Sequence, residues 1–319
     1  MSETKVHASA VTGFLDGKHY DAFRPSYVDE ATSGLLTGLN IAGQKNAKIL
    51  EIAAGTGKFT ECLAHRPERY EVVAVEPVTG MREQLEIKNL QGVQVKGGLA
   101  NSVPVEDGWA DAVIAAQVCS TSYRIYKREN TDSYKAFHWF AKKDALTEFA
   151  RVLKPNGYLG VIWNVEECKS LFSFTPPLPP PSILTHATDN KPAEWPASTP
   201  WEEALNKLVF ELPDDGQARF RQLEWRTGFT SAEENAGADG KPLFTSPAKE
   251  AISAVWETRL TPEQLLARMS TLSQVVSLKG VQREEWVAKF WKIMEMAEKD
   301  GEGKVGVHGK TLYAWAQKL

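Results

Sequence analysis

Short apolar runs alternate with amphipathic segments along the first half of the chain. Five runs have the length and the composition of buried strands: residues 47–53, 71–76, 93–96, 110–116 and 157–163. Four segments place apolar residues at helical spacing: residues 26–40, 59–65, 81–90 and 144–153. Strands that alternate with helices predict an α/β fold with a mostly parallel sheet and helices on both of its faces.

The pattern changes after residue 164. A proline-rich stretch at residues 174–200 predicts a loop or extended linker, because proline cannot donate to a strand ladder. Further helices are predicted at 201–210, 262–272 and 283–299, and strands at 249–257 and 310–315. These two strands could extend the first sheet, and we expect its last strand to be antiparallel.

Composition narrows the classes of partner. The net charge is −4, and no basic stripe of the kind that binds nucleic acid is present. No apolar run approaches the ~18 to 20 residues of a membrane span, and the first ten residues lack the apolar core of a signal peptide. Three cysteines without metal-ligand spacing predict neither a disulfide framework nor a metal site. We therefore expect a cytoplasmic protein that binds neither nucleic acid nor membranes.

The clearest chemical signal follows the first predicted strand. Glu51 precedes a turn with Gly55 and Gly57, where glycines let the main chain turn sharply and approach a ligand. A pyrophosphate site would carry a Gly-x-Gly-x-x-Gly spacing, which is absent, and the Glu51 carboxylate would repel pyrophosphate. The same carboxylate would suit a cation, such as the amino group of an amino-acid moiety.

A second acid ends the next predicted strand. Glu76 lies 25 positions after Glu51, where an acid can accept hydrogen bonds from both hydroxyls of a ribose. Taken alone, it could equally be a solvated acid at a strand end. Its place after the glycine turn, in this order of strands, favours the ribose interpretation.

These motifs resemble the class I S-adenosylmethionine-dependent methyltransferases. The most similar group is the small-molecule branch, of the type 11 group, that includes trans-aconitate methyltransferase, and the resemblance covers roughly residues 14 to 164. It implies a Rossmann-like sheet, S-adenosylmethionine as cofactor and S-adenosylhomocysteine as product. The cofactor-binding residues that it implies are Tyr20, Arg24, Glu51, Ala53, Gly55, Gly57, Glu76, Pro77, Met81, Leu99, Ala100 and Gln117.

Two details of the resemblance concern the residues just named. Ala53 stands where the family often has glycine, and we expect so small a side chain to be tolerated. The segment from Tyr20 to Tyr27 resembles a part that closes over the cofactor, and Arg24 would bind the cofactor carboxylate or an acidic substrate. A surface salt bridge is the alternative role for Arg24.

The resemblance also implies a domain organisation and a substrate side. We expect one domain with N-terminal lid helices at 1–46, a cofactor-binding core at 47–164, a substrate cap at 165–250 and the rest of the sheet at 251–319. The acceptor would be a carboxylate, thiol, hydroxyl or amine of a metabolite, which includes specialised natural products. The chain would act as a monomer or homodimer.

Residues beyond the fourth predicted strand would meet that acceptor. The substrate-binding candidates are Phe137, His138, Trp139 and Trp163. His138 is the candidate general base, because its ordinary pKa near 6.5 suits proton transfer at neutral pH. Alternatively, His138 only shapes the pocket, since methyl transfer often needs no more than alignment.

Eighteen residues interrupt this part of the pattern. The family commonly runs from Ala-Ala-Gln directly into Ala-Phe-His-Trp-Phe, whereas residues 118–135 separate Gln117 from Ala136 here. Codons for Val118-Cys119 can contain a splice donor, those for Thr131-Asp132 a branch point, and that for Lys135 an acceptor. One hypothesis is therefore a translated, unspliced intron, and the other is a functional lid.

Three functions follow as alternatives. The first is methyl transfer to a small molecule. The second is a regulatory or catalytically impaired relative that binds the same cofactor, with its site disrupted by residues 118–135. The third is a nicotinamide-dependent oxidoreductase, which the missing glycine spacing disfavours.

Overall fold

A computed structural model of the chain describes residues 21–22, 24–116, 142–166, 197–212 and 224–319. Its helices are α1 (Asp29–Gly38), α2 (Lys58–Ala64), α3 (Thr79–Ile87), α4 (Lys143–Val152), α5 (Pro200–Phe210), α6 (Thr227–Thr230), α7 (Pro262–Met269), α8 (Ser273–Val276) and α9 (Gly280–Met296). Its strands are β1 (Lys48–Ile52), β2 (Glu71–Val75), β3 (Val93–Lys96), β4 (Ala110–Ala116), β5 (Leu153–Glu166), β6 (Lys249–Ile252), β7 (Trp256–Leu260) and β8 (Val305–Gln317).

The strands of the described residues form one mixed sheet. Its order is β3-β2-β1-β4-β5-β8-β6, and β7 pairs with the first part of β8. The pairs from β3 to β5 are parallel, whereas β8 is antiparallel to β5, β6 and β7. The predicted α/β class is confirmed, with a mostly parallel sheet and an antiparallel last strand.

Alternate residues of the central strands face two separate apolar layers. Ile49, Ala112 and Ile162 pack on one face against α1 and α2. Leu50 and Val113 point to the other face and pack with α4. Each apolar side chain buried in this way contributes about 1.5 to 3 kcal/mol, so the period-two pattern fixes the register of the sheet.

Helix α1 packs unusually close to the sheet. A Cβ atom added at Gly38 would lie 2.6 Å from the ring of Trp315, and one added at Gly34 would overlap Tyr313. Both aromatic residues belong to β8. The two glycines therefore permit the contact between the first described helix and the last strand.

Several predicted elements have other bounds in the structure. The helix expected at 26–40 begins only at Asp29, since the main chain after Pro25 is still extended at Val28. The strand expected at 249–257 is two strands, because Ser253 leaves the ladder and exchanges hydrogen bonds with Thr311 at 2.8 and 2.9 Å. The strand expected at 310–315 begins earlier, at Val305.

A third apolar layer joins helices α5, α7 and α9 to the sheet. Residues of α5, α7 and α9 pack together against Val305 and Val307, which lie in the part of β8 that pairs with β7. The cap boundary expected at residue 250 falls inside β6. Neither these helices nor the others in the described ranges are long and apolar enough to cross a membrane.

Candidate functional site

The candidate site lies at the carboxyl edge of the parallel strands. Strands β1 to β4 run in one direction, so the loops that follow them meet at the same edge of the sheet. The glycine turn follows β1, Glu76 follows β2, and residues 97–100 follow β3. Ligands of open α/β sheets bind at this edge.

The turn after β1 is built from left-handed backbone conformations. The φ angles of Ala53, Gly55 and Gly57 are 52°, 59° and 87°. A Cβ atom at Gly57 would overlap the end of the Leu85 side chain of α3, whereas one at Gly55 would meet no atom of the described residues within 4 Å. The φ angle of 87° favours glycine at position 57, and the main chain at Gly55 is open to the approach of a ligand on the described side of the site.

Glu51 is a fully buried carboxylate beside this turn. Its side chain is 0% exposed, and neither carboxylate oxygen has a hydrogen-bond partner among the described residues. Burial raises the pKa of Glu51 to about 8, and the charge of Glu76 adds to this effect, while Thr60 and Lys88 act in the opposite direction. A buried, unpaired carboxylate is costly unless a positive group neutralises it.

This carboxylate fits the amino group that the sequence motif implies. An ammonium ion carries three donors and a positive charge, so it would satisfy the free oxygens and favour the ionised acid. A phosphate at the same position would face a negative group instead. The buried acid therefore matches an amino-acid moiety better than it matches a dinucleotide.

Glu76 is held rigidly against the glycine turn. One carboxylate oxygen accepts a hydrogen bond from Gly55 N at 2.9 Å, and the other accepts one from Val78 N at 2.8 Å. The side chain is only 3% exposed, which rules out a solvated acid at a strand end. Each oxygen can accept more than one hydrogen bond, so the carboxylate fits a vicinal diol as well.

The remaining implied cofactor residues of this edge surround Glu76. Pro77 follows it directly, and Met81 is buried in the first part of α3. Leu99 and Ala100 lie in a tight turn that Ser102 N closes by donating to Leu99 O at 3.0 Å. The structure thus brings the predicted ribose and adenine segments to one edge.

Residues Asp21–Ala22 and Arg24–Tyr27, here called the N-terminal strap, lead into α1. Asn164 of β5 donates from Nδ2 to Ser26 O at 2.9 Å, and Tyr27 packs edge-on against Phe59 of α2. Arg24 donates from an Nη atom to Thr271 O at 3.2 Å, which links the strap to the loop between α7 and α8. Its role in binding a carboxylate stays a prediction.

Asp21 is a site residue that the sequence did not reveal. Its Oδ1 accepts hydrogen bonds from Thr56 Oγ1 at 2.7 Å and from Lys88 Nζ at 2.8 Å. Burial alone would raise the pKa of Asp21, but Lys88, Thr56 and the charge of Lys58 together lower it below its ordinary value. No sequence spacing marks a pair 67 residues apart; only the glycine turn around Thr56 hinted at a contact here.

The predicted substrate side is described only in part. Trp163 is fully buried in the core, with its ring 4.9 Å from that of Trp225. Its assignment to the substrate pocket stays a prediction. Five other candidates lie outside the described residues, as does the segment 118–135: they are Tyr20, Gln117, Phe137, His138 and Trp139.

Comparison with known proteins agrees with this geometry. Residues 49–129 match the family model of a methyltransferase domain. An uncharacterized methyltransferase-like protein of Schizosaccharomyces pombe is 35% identical over 153 residues, which cover 48% of this chain and 51% of the relative. An uncharacterized methyltransferase of Mycobacterium tuberculosis is 34% identical over 148 residues, which cover 46% and 50%. The chain spans about half the length of these curated relatives.

The fold has a counterpart among solved structures. A candidate type II methyltransferase from Anaeromyxobacter dehalogenans is similar with a TM-score of 0.52 and 16% identity, covering 93% of this chain and 97% of that one. At this identity the likeness concerns the fold alone. The match over residues 49–129 supports a methyltransferase domain on this sheet.

Proposed function

We propose that the chain binds S-adenosylmethionine at the carboxyl edge of β1 and β2 and transfers its methyl group to a small-molecule acceptor. One observation carries the proposal: Glu51 is a buried carboxylate without a described partner, directly before a glycine turn that Glu76 holds in place. When ionised, such an acid needs a positive group, and S-adenosylmethionine, the cofactor that the sequence resemblance implies, carries one in its amino group.

The residues of this edge would bind and orient the cofactor. Glu51 would accept hydrogen bonds from its amino group, and Glu76 would accept them from the ribose hydroxyls. The open main chain at Gly55 would allow close approach of the amino-acid moiety. When bound, the cofactor supplies a methyl group on a sulfonium, which is already an excellent leaving group.

The protein's remaining tasks are alignment and the exclusion of water. A carboxylate or thiolate acceptor needs no proton transfer, whereas a hydroxyl or most amines need a base. His138 is the base that we propose for the second case. Helices α5, α7 and α9 would shape the acceptor pocket together with the strap, which reaches the loop after α7 through the contact of Arg24 with Thr271.

Cofactor binding is tested first, by calorimetric titration with S-adenosylhomocysteine. We expect micromolar affinity for the wild type and an affinity lower by about tenfold or more for Glu76→Gln. Glutamine replaces one carboxylate oxygen with an NH2 group, so one of the two backbone N–H groups and one ribose hydroxyl lose an acceptor. The matched control is Glu71→Gln, the same change at the exposed first residue of β2. Equal affinities for the two variants would contradict the assignment of Glu76.

Turnover separates the enzyme from a regulatory cofactor-binding relative. Formation of S-adenosylhomocysteine is measured with pools of carboxylate, thiol, hydroxyl and amine metabolites. We expect one class to give product formation that Glu76→Gln reduces and Glu71→Gln does not. Tight binding without turnover on any pool would favour the regulatory function, and absence of binding would refute the proposed cofactor.

A further inference from the structure

The N-terminal strap is attached to the molecule at both of its ends. Asp21 reaches the glycine turn through Thr56 and reaches the end of α3 through Lys88. At the other end, Ser26 is bonded to Asn164 of β5. The strap therefore runs from the candidate cofactor edge to the sheet below the cap.

The Asp21 attachment is an ion pair partly shielded from water. The side chains of Asp21 and Lys88 are 26% and 14% exposed, and Lys88 Nζ also lies 3.0 Å from Glu61 Oε2 of α2. Lys58 Nζ lies 3.7 Å from Asp21 Oδ1. Charged pairs that are shared and shielded in this way are stronger than exposed surface pairs.

The partners of Asp21 belong to the parts that shape the cofactor edge. Thr56 lies between Gly55, whose backbone N–H binds Glu76, and Gly57, which packs against Leu85. Lys88 caps the helix that follows Glu76. A single carboxylate thus links the strap to the glycine turn and to the end of α3, the helix that follows Glu76.

We infer that Asp21 is a positioning residue that fastens the N-terminal strap to the glycine turn and so controls how long the cofactor stays bound. This inference rests on the proposed function for its cofactor part, whereas the fastening itself is a property of the protein alone. Loss of the Asp21 contacts frees the strap at the glycine turn, while the Ser26 attachment remains.

The test uses the full chain and three substitutions. Asp21→Asn keeps the shape and removes the charge, Lys88→Met removes the partner, and Lys88→Arg keeps the positive charge. The control is Asp29→Asn, the same change on an 85% exposed side chain that pairs with Arg66 outside the cluster. Two quantities are measured: hydrogen exchange at Ala22 and Arg24 without ligand, and the dissociation rate of S-adenosylhomocysteine.

We expect Asp21→Asn and Lys88→Met each to speed both exchange and dissociation about tenfold, and the double variant to do no more than either alone. Lys88→Arg and Asp29→Asn should resemble the wild type. Unchanged exchange in Asp21→Asn would overturn the fastening. Faster exchange with unchanged dissociation would overturn its control of the cofactor, and a wild type that binds no S-adenosylhomocysteine would refute the proposed function while exchange still decides the fastening.

Discussion

At the residue scale, the buried carboxylate of Glu51 should link cofactor binding to pH. Burial raises the pKa of Glu51 to about 8, so without cofactor the acid is mostly protonated at pH 7. A bound ammonium would favour the ionised form, and binding at pH 7 should therefore release close to one proton. As the pH increases toward 8, the affinity should rise about tenfold for each pH unit, level off near 8 and fall again where the ligand's ammonium loses its proton.

The number of protons released on binding is measured by calorimetry in buffers that differ in their ionisation enthalpy. Glu51→Gln cannot release it, so its affinity should be lower and nearly independent of pH. Glu71→Gln, on the exposed end of β2, should release as many protons as the wild type. Release of less than about 0.2 protons by the wild type would show that Glu51 does not meet the amino group.

Ala53 makes a second prediction at this scale. Its φ angle is 52°, a left-handed conformation that costs a residue with a Cβ about 1 to 2 kcal/mol. Ala53→Gly removes this strain, and part of the gain is offset by the greater freedom of glycine in the unfolded chain. We expect a net stabilisation of up to about 1 kcal/mol in urea denaturation.

The neighbouring alanine provides the control. Ala54 is buried among Ala74 and Leu85 and has no left-handed φ angle, so Ala54→Gly should lose about 1 kcal/mol. If Ala53→Gly and Ala54→Gly lower the free energy of unfolding equally, the backbone at Ala53 is not strained. Alanine would then occupy position 53 without a cost in stability.

At the scale of elements, Glu202 joins helix α5 of the cap to β8. The fully buried carboxylate accepts from His308 N at 2.8 Å, lies 3.1 Å from His308 Nδ1 and accepts from Thr199 Oγ1 at 2.8 Å. Glu202→Ala leaves the His308 backbone donor without this acceptor in a shielded place. We expect a loss of about 2 to 4 kcal/mol in urea denaturation.

Glu203 supplies the comparison for that variant. It follows Glu202 on the same helix but is exposed, so Glu203→Ala should change stability by less than about 0.5 kcal/mol. A difference between the two variants below about 1 kcal/mol would show that the cap does not depend on Glu202. The His308 side chain, which is 24% exposed, is part of this contact between α5 and β8.

Elements were predictable where one period dominated. The ranges of β3 and β4 were predicted to the residue. Strand β4 is a nearly continuous apolar run in a sheet covered on both faces, whereas β3 is an edge strand that alternates valine with polar residues. The split between β6 and β7 was not predictable. It depends on Ser253 bonding to Thr311, which lies 58 residues away and leaves no local signal.

The site divides in the same way. Glu51, Gly57 and Glu76 could be found from sequence, because one strand–turn–helix unit and the strand after it place them. The contacts of Asp21 with Lys88 and of Arg24 with Thr271 could not, because each joins elements distant in the chain. Site residues within one strand–turn–helix unit can thus be predicted from the sequence, whereas contacts between distant units are found only in the structure.

At the scale of the whole molecule, the connection between β4 and α4 decides how the sheet is completed. β4 ends at Ala116 and α4 begins at Lys143, although connections in α/β units usually have about 2 to 6 residues. Removal of residues 118–135, which lie outside the described residues, would leave Gln117 and residues 136–142 to make the same crossover. Eight residues are close to the usual range.

We expect the variant that lacks 118–135 to fold and to bind S-adenosylhomocysteine at least as tightly as the full chain. Closing a shorter loop costs less entropy, which should raise the free energy of unfolding by about 1 kcal/mol. Urea denaturation and calorimetric titration measure the two effects. A matched deletion does not exist elsewhere in the chain, so the intact protein is the reference.

The two hypotheses for this segment give opposite results. A translated intron predicts a deletion variant that is stable and binds, together with mature transcripts that lack codons 118–135. A functional lid predicts that the deletion weakens binding or turnover and that every mature transcript contains those codons. Because the family pattern places Gln117 directly before Ala136, we expect eight residues to suffice for the crossover from β4 to α4, and the two experiments decide between the hypotheses.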